Sequence, residues 1–160
     1  MSKTPRKSWQ EKLADSKDLP RVVEINERMS RWWGAGTCVI PAPREVDEFM
    51  RKVPKGKVTT INEIRAALAR RHRATIGCPI TTGIFAGIAA RAAEEAVAEG
   101  QKNVTPYWRT LKSGGELNPK YPGGVEAQAT HLKDEGHAIE LGMDKQPRRV
   151  KDFEKYLVKL

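Results

Sequence analysis

The stretch Thr105-Pro106-Tyr107-Trp108-Arg109-Thr110-Leu111-Lys112-Ser113-Gly114-Gly115-Glu116-Leu117 gathers the side chains best suited to holding a flat ligand. Tyr107 and Trp108 offer π-faces for stacking, and Arg109 adds a planar cation with a fork of donors. The alternation that follows, closed by Ser-Gly-Gly, reads as a short hairpin whose tip carries Lys112 and Ser113. The plainer reading is a buried aromatic pair closing a core beside an ordinary turn. Groups for covalent or metal chemistry are few. Cys38 and Cys78 match no metal-ligand spacing with His72, His131 or His137, so no metal and no cofactor is expected. Cys78 precedes a helix start and follows Arg73 closely, a setting that lowers a thiol pKa; a buried structural thiol is the alternative.

The whole chain is basic. Lys and Arg number 29 against 20 Asp and Glu in 160 residues, a formal charge of +9. That field attracts polyanions, so nucleic acid or an anionic membrane surface is the natural partner. No run approaches the ~18 apolar residues of a membrane span, and the basic N-terminus is not followed by an apolar core. The expectation is a cytoplasmic monomer, associated with the nucleoid if the cell is prokaryotic. The length suits one domain with an appendage.

Several elements must position these residues. Ser8-Trp9-Gln10-Glu11 has the form of a capping box, predicting a short helix from Trp9 to about Ala14. Residues 21–42 are too apolar for a linker, so 1–42 reads as an N-terminal extension packing on the core as an irregular layer. A helix over Arg44 to Val53 follows, with Pro43 in its first turn and Val46, Phe49, Met50 and Val53 on one face. Thr60-Ile61-Asn62-Glu63 is a second capping box, opening a helix to about Arg71 with Ile64, Ala67 and Leu68 inward. Basic residues from Arg51 to Arg73 lie over this helix-turn-helix, as a solvated face or a phosphate contact. Thr81 or Thr82 is expected to cap a helix from Gly83 to Glu99, with Ile84, Phe85, Ile88, Ala89, Ala92, Ala93 and Ala96 inward. Its Arg91, Glu94, Glu95 and Glu99 should face water. The small residues at its start serve either tight helix packing or entry into a narrow DNA groove. Val125 to Glu135 forms another helix ended by Gly136, then a short extended segment reaches Leu141. Residues 142–160 read as a basic, docked amphipathic helix carrying Phe153, Tyr156, Leu157 and Leu160.

In series, Val53-Pro54-Lys55-Gly56-Lys57-Val58-Thr59-Thr60, the small-residue helix, Pro106-Tyr107-Trp108-Arg109, the Ser113-Gly114-Gly115 turn and Gly124-Val125-Glu126-Ala127-Gln128 through Glu135-Gly136 resemble the DNA-binding domain of the O6-alkylguanine-DNA alkyltransferase family. The likeness covers roughly residues 43–141. It is to the non-enzymatic, alkyltransferase-like branch in particular. It implies a mainly α fold, a winged helix-turn-helix-like domain with a short β-hairpin. It also implies minor-groove binding of double-stranded DNA and marking of alkylated guanine for DNA repair proteins. DNA contacts would come from Lys55, Lys57, Thr59, Thr60, Ile61, Thr81, Thr82, Lys112 and Ser113. Tyr107, Trp108 and Arg109 would line the base pocket.

The departures from that family are chemical. Its enzymes read Pro-Cys-His-Arg, the Cys accepting the alkyl group and the His activating it. Tyr107 and Trp108 stand there instead, and Ala129 falls near the Glu that orients the His. A phenol of pKa about 10 with no base beside it is a poor nucleophile, so alkyl transfer is not expected. The Tyr that helps rotate the target nucleotide falls on Ile61, and the Arg that fills the vacated gap falls near Thr82. Three readings remain: a lesion-sensing DNA binder, a nucleic-acid or protein-interaction module without lesion recognition, and an alkyltransferase acting through Cys78.

Overall fold

The structure is a computed structural model that describes residues 6–160. Helix α1 (Trp9–Ala14) starts as the sequence predicts, Ser8 Oγ accepting from Glu11 N while Glu11 accepts from the Ser8 N–H. The segment read as an irregular layer is regular instead: β1 (Arg21–Glu24), α2 (Glu27–Trp33) and β2 (Thr37–Ile40), with β1 antiparallel to β2. Val22, Val23, Cys38 and Val39 supply the β-favouring residues that make the pair. This layer covers less core than expected, for Trp32 is 76% exposed.

Helix α3 (Pro43–Arg51) places Pro43 in its first turn and buries Val46, Phe49 and Met50. After a turn, β3 (Thr59–Thr60) feeds α4 (Ile61–His72), whose first turn is capped by Thr60 Oγ1 accepting from Glu63 N. Ile64, Ala67 and Leu68 point inward. β4 (Ile76–Gly77) then runs parallel to β2, giving the sheet order β1-β2-β4. Only glycine fits at 77, because a Cβ there would lie 2.6 Å from the Arg65 carbonyl oxygen.

Helix α5 (Pro79–Ala98) begins four residues before the expected Gly83. Pro79 supplies the φ and lacks the N–H that a first helical residue does not use, so Cys78 becomes the N-cap. The threonines therefore sit inside the first turn. Thr82 is buried and its hydroxyl donates back to the Cys78 carbonyl at 2.6 Å, while Thr81 Oγ1 is buried with no partner. The buried face is alanine: Ala86, Ala89, Ala90, Ala92, Ala93 and Ala96 let α1 and α3 approach closely. Ile84, expected inward, is 54% exposed. Nor do the acids all face water. Glu94 accepts from Tyr107 Oη at 2.6 Å, and the Glu95 carboxylate takes the Trp9 and Gln10 N–H groups at 2.9 Å each, clamping α1 to α5.

A 3₁₀ turn at Tyr107–Arg109 leads to β5 (Thr110–Leu111). The Ser-Gly-Gly turn is present, closed by Lys112 N donating to Glu116 O at 2.8 Å, but β5 pairs in parallel with β3. Helix α6 (Gly124–Asp134) buries Ala129 and Leu132, and Gly136 follows with φ +95°. The tail is not the basic helix expected. β6 (Ile139–Leu141) pairs antiparallel with β7 (Pro147–Val150), a 3₁₀ turn spans Phe153–Tyr156, and Val58 is bonded on both sides by Tyr156 and Val158. Pro147 and a left-handed Asp152 (φ 54°) interrupt any helix there. The mainly helical class with small sheets is as expected. Two core clusters meet at Trp108, one built on Met50, Leu68 and Tyr107, the other on Val58, Leu111 and Leu132.

Candidate nucleic-acid interface

Tyr107, Trp108 and Arg109 do not line an open pocket. They are the seam between the two clusters. Tyr107 is 2% exposed, edge-on to Trp108 and Tyr121, and burial followed by the Glu94 carboxylate pushes its phenol well above the usual range. Trp108 stacks on His131 at 4.0 Å and donates Nε1–H to Glu135 at 3.1 Å. Arg109 holds Glu135 through Nε at 2.8 Å and Nη2 at 2.7 Å, and gives Nη1–H to the Val53 carbonyl at 2.8 Å. Such a triad braces the fold. The base-pocket reading of these three residues is corrected: size and planarity make them stackable, but their polar tips are all satisfied from within.

The expected DNA contacts divide similarly. Thr59 is fully buried and donates to the Val158 carbonyl at 3.2 Å; Thr60 caps α4; Thr82 is closed on Cys78. Thr81 keeps its hydroxyl buried. None of the four presents its hydroxyl outward, and those of Thr59, Thr60 and Thr82 serve backbone groups, as short β-branched alcohols beside a helix start do. Lys55 and Lys57 are exposed on the turn before β3, outside the groove described below. Much of the basic run is tied down: Arg51 to Asp47, Arg71 to Glu45 and Glu48, Arg65 to the Gly77 carbonyl and Arg70 to the Leu160 carbonyl. Cys78 is buried beside Cys38, whose thiol is pushed up to about 11 by burial and then by Cys78. A thiol placed so is not offered to a ligand. Among the described residues no group of His, Cys, Asp and Glu could hold a metal ion.

Ile61, Lys112 and Ser113 do come together, with partners the sequence reading missed. They line a groove of about 710 Å³ between the start of α4, the first half of α5, the 112–120 loop and α1. Asn62 Nδ2 donates to Ser113 Oγ at 3.2 Å and ties α4 to that loop. Ile80, Ile84 and Ile88 recur every fourth residue along one side of α5, with Gly83 and Gly87 beside them. A Cβ added at either glycine would meet nothing within 4 Å, so the small residues here open a surface and are not pressed against another helix. The rim carries Lys12, Arg91, Lys112 and Lys120, and no lining residue is Asp or Glu. The available signal was this isoleucine stripe, offset from the alanine face and too large to be the packing side of a helix rich in alanine.

No protein-family model and no curated protein matches the chain. Among solved structures, it is similar to the crystal structure of S. pombe Atl1 in complex with damaged DNA containing O6-carboxymethylguanine, with a TM-score of 0.48, 21% identity, and 74% of this chain and 94% of that chain covered. A second S. pombe ATL structure in complex with DNA gives a TM-score of 0.44 at 21% identity and the same coverage.

Proposed function

We propose that this chain is a non-catalytic protein that binds duplex DNA through the groove between α1, α5 and the 112–120 loop. The observation that carries the reading is the groove's composition: an apolar floor of isoleucines and glycines under a rim of four cations, with no carboxylate in the wall. A polyanion with apolar sugar and base edges is complementary to such a surface, and the net charge of +9 draws it in. The glycine side of α5 admits a backbone at close range, which supports contact along a narrow groove. Recognition of O6-alkylguanine on behalf of repair proteins is the finer form of the proposal, and it rests on the resemblance over residues 43–141. In that form the base contacts belong to the groove and not to Tyr107, Trp108 and Arg109.

A second reading, a DNA-binding scaffold without lesion recognition, is favoured by one observation. Thr82 is buried, so the residue standing near the family's gap-filling position cannot enter a duplex. Titrating one duplex with and without a central O6-methylguanine, at near-physiological salt, separates them. A preference of tenfold or more, about 1.4 kcal/mol, supports lesion sensing. Equal, salt-dependent affinities support the scaffold. Absence of duplex binding refutes both.

A further inference from the structure

We infer that the arm helix α1 is part of the DNA-contacting surface, with Lys12 and Arg91, gathered at the Trp9 indole, holding one backbone phosphate of the strand in the groove. This rests on the DNA-binding reading above. Lys12 Nζ lies 4.1 Å from the Trp9 ring centroid and Arg91 Cζ lies 5.2 Å from it. One arises from α1 and the other from α5, so two like charges converge on a single ring from different elements. The ring's negative face attracts each cation and holds both at one place, so their two positive charges add there into a field that favours an anion.

Among the described residues, neither cation makes an ion pair. The nearby acids are engaged elsewhere. Glu95 takes the Trp9 and Gln10 N–H groups, contacts that hold its carboxyl below the usual range, with Lys12 contributing the least of the causes. Glu99 accepts from Gln10 Nε2 and Glu11 from the Ser8 N–H. Arg91 Nη1 donates to the Lys120 carbonyl at 3.1 Å, which ties this pair of cations to the loop bearing Lys112 and Lys120. The same glutamate that docks the arm thus fixes a cationic end to a groove whose floor is apolar.

The test is the salt dependence of duplex binding by the full chain. Each phosphate contact contributes about 0.9 to the slope of log affinity against log salt, over a range of about 50 to 200 mM. The double variant Lys12→Ala/Arg91→Ala should flatten the slope by about 1. Glu95→Gln, which weakens the clamp on the Trp9 and Gln10 N–H groups while both cations stay in the chain, should flatten it in part. The charge-matched variant Lys145→Ala/Lys151→Ala, which alters no lining residue of the groove, should leave the slope unchanged. An unchanged slope in Lys12→Ala/Arg91→Ala, or equal flattening in both double variants, overturns the arm site while the DNA reading stands. A wild-type chain that binds no duplex overturns both.

Discussion

Removing Glu135 should unfold the protein more readily while leaving the proposed DNA-binding groove alone. Its carboxylate receives three hydrogen bonds from Arg109, at 2.8, 3.2 and 2.7 Å, and one from Trp108 at 3.1 Å. The Arg109 and Glu135 side chains are 14% and 8% exposed, so water does not substitute for either partner. Glu135→Ala strands a buried guanidinium with only the Val53 carbonyl, a situation that costs about 3–5 kcal/mol. At about 2 kcal/mol/M in urea, the unfolding midpoint should fall by about 1.5–2.5 M. Arg109→Met/Glu135→Leu removes both charges and should recover most of that loss. Burial alone would raise the Glu135 carboxyl, but the hydrogen bonds from Arg109 and Trp108 prevail and leave it below its usual range. The pair therefore contributes fully above the unfolded pKa of about 4.3 and is lost as pH falls through the lower folded value. Urea titrations followed by circular dichroism, with duplex affinity of the folded variant measured alongside, decide the matter. A midpoint unchanged in Glu135→Ala with duplex affinity lost would refute the reasoning and return Arg109 to the ligand site.

Three further outcomes are expected. His137 is 5% exposed with neither ring nitrogen bonded, and burial lowers its pKa against a weaker upward pull from Glu135. Stability is complete above about pH 6.5 and falls as pH drops toward the folded value, so Tm at pH 5.5 should recover in His137→Phe; an identical fall in the variant sinks this. Gly77→Ala should cost about 1–3 kcal/mol by forcing a Cβ onto the Arg65 carbonyl, read by thermal unfolding, and a neutral result would mean α4 yields easily. Neither Cys38 nor Cys78 should label with a thiol reagent at pH 7.5 until denaturant is added, since both are buried; rapid native labelling of Cys78 would reopen an alkyl-acceptor role.

What was legible in the sequence follows from how local each signal is. The helices α3, α4 and α6 announce themselves through Pro43, the Thr60 cap, Gly136 and their spaced apolar residues, all within a few positions of each other. The pairings β3–β5 and β2–β4 join two-residue segments, Thr59-Thr60 to Thr110-Leu111 and Cys38-Val39 to Ile76-Gly77, too short to carry any alternation. The tail misled because Phe153, Tyr156, Leu157 and Leu160 keep helical spacing although only a 3₁₀ turn over Phe153–Tyr156 and an isolated bridge from Leu157 to Val58 form there. Ile61, Lys112 and Ser113 line one groove, whereas Trp9 and Lys12 join it from an arm that Glu95, far along the chain, clamps in place. The aromatic pair was misassigned for a related reason: Glu94 and Glu135, the groups that satisfy Tyr107, Trp108 and Arg109, lie on other elements.

Val58 bonds through its N–H to Tyr156 and through its carbonyl to Val158, so its neighbours in space are separated from it by most of the domain in sequence. During synthesis, α3, β3 and α4 emerge long before those partners exist. Until residues 156–158 leave the ribosome, Val58 and the adjoining hydroxyl of Thr59 have only water to bond. The first half of the domain can therefore acquire its helices early yet gain its full cooperativity only when residues 156–158 close over it, a closure that pays the entropy of a long loop in a late step.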